Sequence, residues 1–573
     1  MQTLRTTSIG AQRSGFWDFA LLPVILVLLV LLAYGAQDMS GPFKVGTPIP
    51  ISTHPSELPY YLLRTTMRMF IALFFSVLFA YGFALLVTRS KAAEKIFVPV
   101  LDILQSIPIL GFLSITVTGF IALFPGSMLG VECAAIFAIF TSQAWNMAFS
   151  AYQSFKSIPA ELDEASRVLQ QSAWQRFWRL EVPFSMPGMT WNMMMSMSGG
   201  WFFVVASEAI TVANQNITLP GIGSYIAVAI DAKDLSAIGW AILAMLIGII
   251  IYDQLFFRPL VAWSQRFRFE TQDNELVAKS WLWSILGKTR WIGAIGRGLA
   301  KGLDQSARLF RQKKDGTATP KASIIADRHA NRLLDSVMLA LAGIALWQLF
   351  VFIHTEVGLD EFLHVLLLAC YTLIRVCVLM AIAILFWMPV GIWIGLNPRI
   401  AERAQAIAQF MAAFPANLVF PVAVIGILHF NLDPNIWLSP LIIFGTQWYI
   451  LFNVIAGAST IPADLRAAAD NLGLKGFLRW RRYYIPAVFP SLVTGALTAM
   501  GGSWNASIVA ELVTWGDKTL TAQGLGEYIA RTTAEGDFPR IALGIGIMCI
   551  FVMLFNRFVW RKLYDLANRG LNF

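Results

Sequence analysis

The chain has 573 residues, of which 57% are hydrophobic and 13% are charged, and its mean hydropathy is +0.63. This composition excludes a soluble globular protein and indicates a protein that crosses a membrane several times. The formal net charge is +9, and residues 258–332 alone hold 15 Lys and Arg against six Asp and Glu, a surplus as large as that of the whole chain.

Apolar runs long enough to span a bilayer, about 20 residues each, recur along the chain. The first half contains six of them, near residues 17–36, 62–87, 97–123, 131–152, 188–212 and 236–257. The second half contains six more, near residues 333–353, 366–387, 404–428, 436–457, 489–513 and 541–560. The fold class that these runs predict is an all-α polytopic membrane protein with about twelve transmembrane helices.

The second half of the chain repeats the first at an offset of 303 residues. The matched pairs are Trp145 and Trp448, Trp201 and Trp504, Glu208 and Glu511, Gly221 and Gly524, Gly223 and Gly526, and Tyr225 and Tyr528. A period of this length is too long for a solenoid repeat. We therefore predict two homologous six-helix modules, residues 1–257 and 333–573, joined by a basic linker at 258–332.

Connections rich in Lys and Arg alternate with connections that are poor in them. Because Lys and Arg accumulate in cytoplasmic loops, the alternation places both termini in the cytoplasm. It places the two Arg-rich connections, 153–187 and 458–488, on the same side. A cytoplasmic linker also fits, because it joins the sixth span to the seventh without crossing the membrane.

The linker itself allows two interpretations. Residues 281–312 mix Trp, Leu and Ile with Lys and Arg, which is typical of a helix lying on anionic lipid, but a plain basic tether explains the same composition. Its Gly287-Lys288-Thr289 sequence is not a phosphate-binding loop, because Leu282 stands where such a loop needs glycine. We therefore expect no nucleotide-hydrolysing site in this chain.

Residues 158–183 and 461–486 are the repeated cytoplasmic segments that carry most functional information. Each begins with Ile-Pro, continues through a short Ala-rich stretch and an Arg cluster, and ends at a proline. Aligned, they resemble the coupling loop of ABC importer permeases, whose pattern is Glu-Ala-Ala, three residues, Gly, nine residues, Ile, one residue, Leu-Pro. The matching positions are Glu164, Ala165, Ser166, Gln170, Leu180, Val182 and Pro183 in the first copy, and Ala467, Ala468, Ala469, Gly473, Tyr483, Ile485 and Pro486 in the second.

The two copies depart from that pattern in opposite ways. The first keeps Glu164 but has Gln170 in the glycine position, whereas the second keeps Gly473 and has Ala467 in place of the glutamate. Gln is expected not to match Gly where a positive φ is required. The two loops are therefore expected to bind their partner with unequal strength. The resemblance implies that loops 158–187 and 461–488 each dock on a cytoplasmic ATPase subunit. A surface loop held near lipid by its arginines is the alternative.

The fifth span of each half indicates a particular group of permeases within this resemblance. A Trp, a carboxylate seven residues later and a Gly-x-Gly segment after the span recur in both copies. This arrangement is similar to that of nitrate, sulfonate, taurine and bicarbonate permeases. The residues concerned are Trp201, Glu208, Gly221 and Gly223 in the first copy, and Trp504, Glu511, Gly524 and Gly526 in the second.

These residues are candidates for the substrate pathway or its gate, but each has a plainer interpretation. An ionisable residue at membrane depth marks a functional site by default. Glu208 and Glu511 would otherwise form structural ion pairs with Arg68 and Arg375, which are roughly equivalent in the repeat. The tryptophans would otherwise fill helix contacts. The glycines permit close packing or a positive φ, as a segment folding back over a cavity needs.

The resemblance implies the permease of an ATP-driven importer for a small anion of the nitrate, bicarbonate, sulfonate and taurine class, in a bacterial inner membrane. It implies two copies of an ABC ATPase that hold ATP and Mg²⁺, and an extracytoplasmic binding protein. We expect no catalytic residue, resident cofactor, metal site or nucleic-acid surface in this chain. Its four cysteines lie in or beside apolar runs and lack metal-ligand spacing. The alternatives are a secondary transporter driven by an ion gradient, an ABC importer for another small solute, and a membrane scaffold or sensor.

Overall fold

The fold comes from a computed structural model that describes residues 16–43, 49–106, 108–212, 215–267, 281–286, 350–459 and 463–569, with isolated residues between 298 and 348 and at 461. Most of the linker and most of the predicted span at 333–353 lie outside the described residues. The two interpretations of residues 281–312 therefore remain predictions.

The first module is a series of helices interrupted by one hairpin. The bounds are α1 Phe16–Met39, α2 Leu58–Arg89, α3 Lys91–Ser106, α4 Ile109–Leu123, α5 Leu129–Lys156, α6 Ala160–Val168, α7 Ala173–Arg176, α8 Val182–Glu208, β1 Ala209–Val212, β2 Gln215–Thr218, α9 Ile222–Asp231, α10 Leu235–Tyr252, α11 Arg258–Ser264 and, in the linker, α12 Trp281–Leu286.

The second module repeats this order from its second span onward. The bounds are α13 Leu359–Gly395, α14 Pro398–Ala413, α15 Phe420–His429, α16 Pro434–Trp437, α17 Ser439–Phe444, α18 Gln447–Ser459, α19 Ala463–Asn471, α20 Gly476–Arg479, α21 Ile485–Ala510, β3 Leu512–Trp515, β4 Lys518–Thr521, α22 Leu525–Glu535, α23 Phe538–Phe555 and α24 Arg561–Arg569.

The fold class is confirmed: the chain is an all-α polytopic membrane protein built from two modules. Among the described residues, five helical stretches are long and apolar enough to cross a membrane, and a pair of helices bent by 40° forms a sixth. The stretches are Pro55–Arg89, Leu235–Phe267, Leu359–Gly395, Gly476–Ala510 and Phe538–Leu563, and the bent pair is Pro434–Phe444 with Gln447–Ser459. The helices α5 and α8, of 28 and 27 residues, are as long but bury polar side chains.

Three predicted spans are broken where the prediction had them continuous, and one of them, 436–457, is the bent pair described above. The span at 97–123 divides into α3 and α4 around Pro108, and the span at 404–428 divides into α14 and α15 around Pro415. Both prolines have an extended backbone, with ψ of 117° and 114°, and each stands immediately before a new helical segment. Proline lacks the amide hydrogen that a continuous helix needs, and so it begins a segment more readily than it continues one.

The fifth spans end earlier than predicted, because an antiparallel hairpin follows each of them. The helix α8 ends at Glu208 rather than 212, and α21 ends at Ala510 rather than 513. In the hairpins, Ala209 pairs with Thr218 and Leu512 pairs with Thr521. Each hairpin reaches the other module: β1 packs against α22 and β3 against α9. By the predicted orientation, the hairpins lie at the outer face.

Candidate coupling loops and transport path

The first coupling loop consists of α6 and α7. The turn between them is fixed by a capping box, in which the Ser172 hydroxyl accepts a hydrogen bond from the Gln175 amide at 3.2 Å and the Gln175 side chain accepts one from the Ser172 amide at 3.0 Å. Before the cap, Gln170 has a φ of +49° and ends α6. Five residues of π-helix, Phe177–Glu181, then join α7 to α8.

The second loop has the same order of helix, turn, short helix and π-helix, without a side-chain cap at its turn, and it corrects the expectation that Gln could not replace Gly. Gly473 ends α19 with a φ of +66°, and Gln170 adopts the same left-handed conformation at the equivalent position. A Cβ on Gly473 would meet nothing within 4 Å. Both loops therefore turn alike. The Gln backbone carries a cost of roughly 1–2 kcal/mol, because a left-handed backbone brings Cβ close to the following carbonyl oxygen.

Most motif residues of both loops face outward, although Ser166, Val182, Ala469 and Tyr483 of the motif are buried. Glu164, Ala165 and Gln170 are exposed in the first loop, as are Ala467, Ala468, Gly473 and Pro486 in the second, whereas Pro183 is half-buried. The buried Ser166 and Ala469 fix each short helix to its module.

Large apolar side chains accompany these motif residues at the surface. Leu169 is 69% exposed and its repeat equivalent, Leu472, is 75% exposed. Phe477, at the start of α20, is 79% exposed. Exposed apolar side chains at equivalent positions of two loops are typical of a surface that another protein covers.

Each loop is braced by a salt bridge from the same arginine position, but to a different carboxylate. In the first loop Arg176 pairs with Asp163 and, at 3.0 Å, with Glu181. In the second loop Arg479, equivalent to Arg176, pairs at 2.7 Å with Asp470. Asp470 lies one helical turn after the position equivalent to Asp163. The loops thus share one fold but present different charges.

A further contact holds the start of the first loop. Lys156, at the end of α5, pairs with Glu94 of α3, and the Tyr152 hydroxyl donates to the same carboxylate at 2.6 Å. These hydrogen bonds hold the pKa of Glu94 below its usual value. The loop therefore enters and leaves its module through braced helix ends.

At the predicted outer end of the first module, Glu208 lies in a buried hydrogen-bond network. Its carboxylate accepts hydrogen bonds from Arg68 Nη1 at 2.6 Å, from the Thr65 hydroxyl at 2.7 Å and from the Gly223 amide at 2.7 Å. The side chains of Glu208 and Arg68 are 0% exposed. Glu208 therefore ties the end of α8 to α2 and to the first amides of α9, where a negative charge is favourable.

The second module contains the same network. Glu511 accepts from Arg375 Nη1 at 3.0 Å, from the Thr372 hydroxyl at 2.9 Å and from the Gly526 amide at 2.8 Å. Thr65 and Thr372, like Arg68 and Arg375, are 307 residues apart. This geometry is that of a structural ion pair, because each carboxylate is buried and accepts at least three hydrogen bonds from its own module.

Two charged residues of the first module escaped the sequence analysis. Glu132 accepts from Arg64 Nη2 at 2.5 Å and from Arg68 Nε at 2.6 Å, and all three side chains are at most 1% exposed. The repeat equivalent of Glu132 is Asn435, whose side chain accepts from the Gln523 amide at 2.9 Å. The first module therefore buries a four-charge cluster, whereas the described residues of the second place one pair there, with Arg375 14% exposed.

The glycines after the fifth spans permit close approach rather than a positive φ. Gly221 and Gly524 have φ values of 177° and −176°, which is extended backbone open to any residue. A Cβ at either position would lie under 3.0 Å from the carboxylate of Glu208 or Glu511. One at Gly223 or Gly526 would strike a backbone carbonyl of the preceding helix. The sequence carried a signal for this close approach, because each Gly-x-Gly segment follows its carboxylate at the same spacing in both halves.

The paired tryptophans are packed into their modules. Trp201 is 0% exposed and Trp504 is 2% exposed. The Trp201 indole donates to the Tyr252 hydroxyl at 3.1 Å, with the two rings stacked 6.1 Å apart. Among the described residues, His, Cys, Asp and Glu form no group that could hold a metal ion.

Comparison with known proteins agrees with this arrangement. The family model for the binding-protein-dependent transport system inner membrane component matches twice, at residues 72–258 and 387–572. The chain is 28% identical over 266 residues to the bicarbonate transport system permease protein CmpB of Synechococcus elongatus, covering 41% of this chain and 91% of that protein.

Two further relatives each match about a third of this chain. The nitrate import permease protein NrtB of Synechocystis is 27% identical over 203 residues, which cover 35% of this chain and 69% of NrtB. The taurine transport system permease protein TauC of Escherichia coli is 25% identical over 184 residues, which cover 32% of this chain and 63% of TauC. The chain belongs to the family of binding-protein-dependent transport system inner membrane components, the permeases of ABC importers, and holds two of its modules in one polypeptide.

Proposed function

We propose that this chain forms the membrane pathway of an ATP-driven importer, with one ATPase subunit docked on each coupling loop. The observation that carries the proposal is the exposure of Leu169 and Leu472, two equivalent apolar side chains next to the motif residues. ATP-driven closure of the ATPases would move α6 and α19, and the braced loops would pass the movement to α8 and α21. ATP and Mg²⁺ would reside in the ATPases, and this chain would bind no cofactor.

The substrate class in this proposal is a small anion delivered by an extracytoplasmic binding protein. Relatives named for bicarbonate, nitrate and taurine transport support it. The glycine betaine/proline betaine permease ProW of Escherichia coli, 23% identical over 187 residues, makes a betaine the alternative solute. The proposed location is a bacterial inner membrane with both termini in the cytoplasm, and the proposed boundaries are modules 1–257 and 333–573 and linker 258–332.

Co-purification tests the docking. The chain is co-expressed with an ABC ATPase of the same importer class, and the ATPase retained per chain is measured in detergent. Leu169→Glu combined with Leu472→Glu is expected to lower retention at least tenfold, because a carboxylate buried against an apolar partner surface is not compensated. The matched control is Leu566→Glu on α24, an apolar side chain that is 60% exposed outside both loops.

Retention by the double variant equal to that of the Leu566→Glu control would overturn the docking proposal. Uptake of a solute by the purified chain alone, driven by an ion gradient without ATP, would instead favour the secondary transporter.

A further inference from the structure

One face of α21 is exposed and polar over about three helical turns. Between Val488 and Ala510 the exposed residues are Thr494, Thr498 and Gly501. Half-buried Asn505 continues the same line. Spacings of four, three and four residues keep these positions on a single face of a helix.

This face does not have the composition of a surface in contact with lipid tails. On α13, the second span of the same module, the exposed positions carry large apolar side chains: Leu363, Leu367, Ile374, Val378, Ile382 and Leu385. Small and hydroxyl-bearing residues of membrane helices are enriched on faces turned toward other protein segments rather than toward lipid. The polar face of α21 is therefore expected to border water between the modules.

A hydrogen bond at Asn505, the last residue of this line, shows which part of the protein the polar face of α21 faces. The Ile109 amide of the first module donates to Asn505 Oδ1 at 2.7 Å. Ile109 is the first residue of α4, which begins after the break at Pro108. The polar face of α21 is thus turned toward the broken third span of the other module, and the amide end of α4 lies beside it.

The repeat-equivalent face of α8 carries large side chains that pack against the second module, although Trp191 remains 36% exposed. Its residues at the 303-residue offset are Trp191, Met195, Ser198 and Phe202. Trp191 stacks on Phe452 of the second module with ring centroids 4.9 Å apart. Met195 packs against an apolar cluster of the second module. The fifth span of the first module, α8, therefore packs against the second module, whereas the fifth span of the second module, α21, leaves Thr494, Thr498 and Gly501 exposed.

We infer that the solute passes along α21, and that Thr494, Thr498 and Asn505 form its specificity-determining wall, with Gly501 as the open position between them. The inference rests on the proposed function and refines it. The Thr494 and Thr498 hydroxyls each donate at 3.0 Å to the carbonyl one helical turn before, and Asn505 Nδ2 donates at 3.3 Å to the Gly501 carbonyl. A small oxyanion is recognised here when these neutral donors turn from the backbone to the solute. Glu208 and Glu511, sealed in their ion pairs, do not touch it. At Gly501 an added Cβ would meet nothing within 4 Å, so the space beside it belongs to the path.

Thiol labelling of the full chain with its ATPase in membrane vesicles tests this directly. Thr498→Cys and Gly501→Cys are introduced after replacement of Cys133, Cys370, Cys377 and Cys549 by alanine. A charged, membrane-impermeant methanethiosulfonate is expected to label both variants. Two controls should stay unlabelled by this reagent: Ala496→Cys on the buried face of α21, and Val378→Cys on the apolar face of α13.

Labelling of Thr498→Cys and Gly501→Cys by a membrane-soluble maleimide alone, as expected for Val378→Cys, would place the face in lipid and overturn the inference. A second measurement uses the chain with its native cysteines. Gly501→Leu should reduce uptake of radiolabelled nitrate, bicarbonate or taurine at least tenfold, whereas Gly239→Leu, at an exposed glycine of α10, should stay within twofold. Equal uptake by these two variants would also overturn the inference. Retention of the ATPase by both variants separates either failure from a failure of the docking proposal.

Discussion

Removing one partner of the Arg375–Glu511 pair should destabilise the second module strongly, and removing both should not. Arg375→Met leaves the Glu511 carboxylate, whose side chain is 1% exposed, without the guanidinium 3.0 Å away. Breaking a buried ion pair in this way costs about 3–5 kcal/mol. For a module of this size, 1 kcal/mol corresponds to a shift in Tm of roughly 2–4 °C, and so Tm should fall by about 6–20 °C.

The double variant Arg375→Met with Glu511→Gln removes the unpaired charge while keeping an acceptor for the Gly526 amide. It should recover at least half of the loss, because replacing both members of a buried pair is often close to neutral. Thermal unfolding in detergent, followed by tryptophan fluorescence at one scan rate, measures all variants. Asp517→Asn is the control, because its pair with Lys233 leaves Asp517 94% exposed and should contribute less than about 1 kcal/mol. A double variant as unstable as the sum of the two single variants would refute the reasoning.

Three more outcomes are expected. Gln170→Gly should raise the Tm because it removes a left-handed Gln, and Gly473→Ala should lower the Tm because a left-handed Ala costs about 1–2 kcal/mol of stability. Uptake should fall to different degrees in Gly473→Ala and Glu164→Ala. Identical behaviour of the two loops in both assays would contradict this. Gly221→Ala should lower the Tm because its Cβ would strike the Glu208 carboxylate, while Gly239→Ala, with open space around it, should not; equal melting of the two variants argues against the close approach. Replacing linker residues 297–314 by an uncharged Gly/Ser segment should leave uptake largely intact. The expected role of the basic residues there is attraction to an anionic membrane, to which each contributes on the order of 1 kcal/mol, and not transport itself. Loss of uptake in a chain that still binds its ATPase would give the linker a further role.

The repeat made much of this architecture predictable. A fixed offset located both coupling loops, both carboxylates and both Gly-x-Gly segments, and Arg68 and Arg375 were identified as partners from their equivalent places in the second spans. The offset could not predict a feature that is present in only one of the two modules. Glu132 and Arg64 lie near the starts of apolar runs, and their pairing depends on the packing of α2 against α5.

Two local features were missed although the sequence carried weak signals for them. The hairpins contain β-branched residues directly after a fifth span, and Gly516-Asp517 forms the two-residue connection between β3 and β4. They were counted as helix and loop because the apolar run continues into them. The polar face of α21 became visible once burial separated Thr494 and Thr498 from the apolar residues between them.

The measurement that tests the central claim most directly is solute uptake by the chain and its ATPase in proteoliposomes, with ATP and Mg²⁺ on the ATPase side. Uptake of nitrate, bicarbonate or taurine that requires ATP hydrolysis, and that is lost in the Leu169→Glu, Leu472→Glu variant, is the predicted result. Uptake that proceeds without ATP hydrolysis, or that survives in that variant, would contradict a permease driven through these two loops.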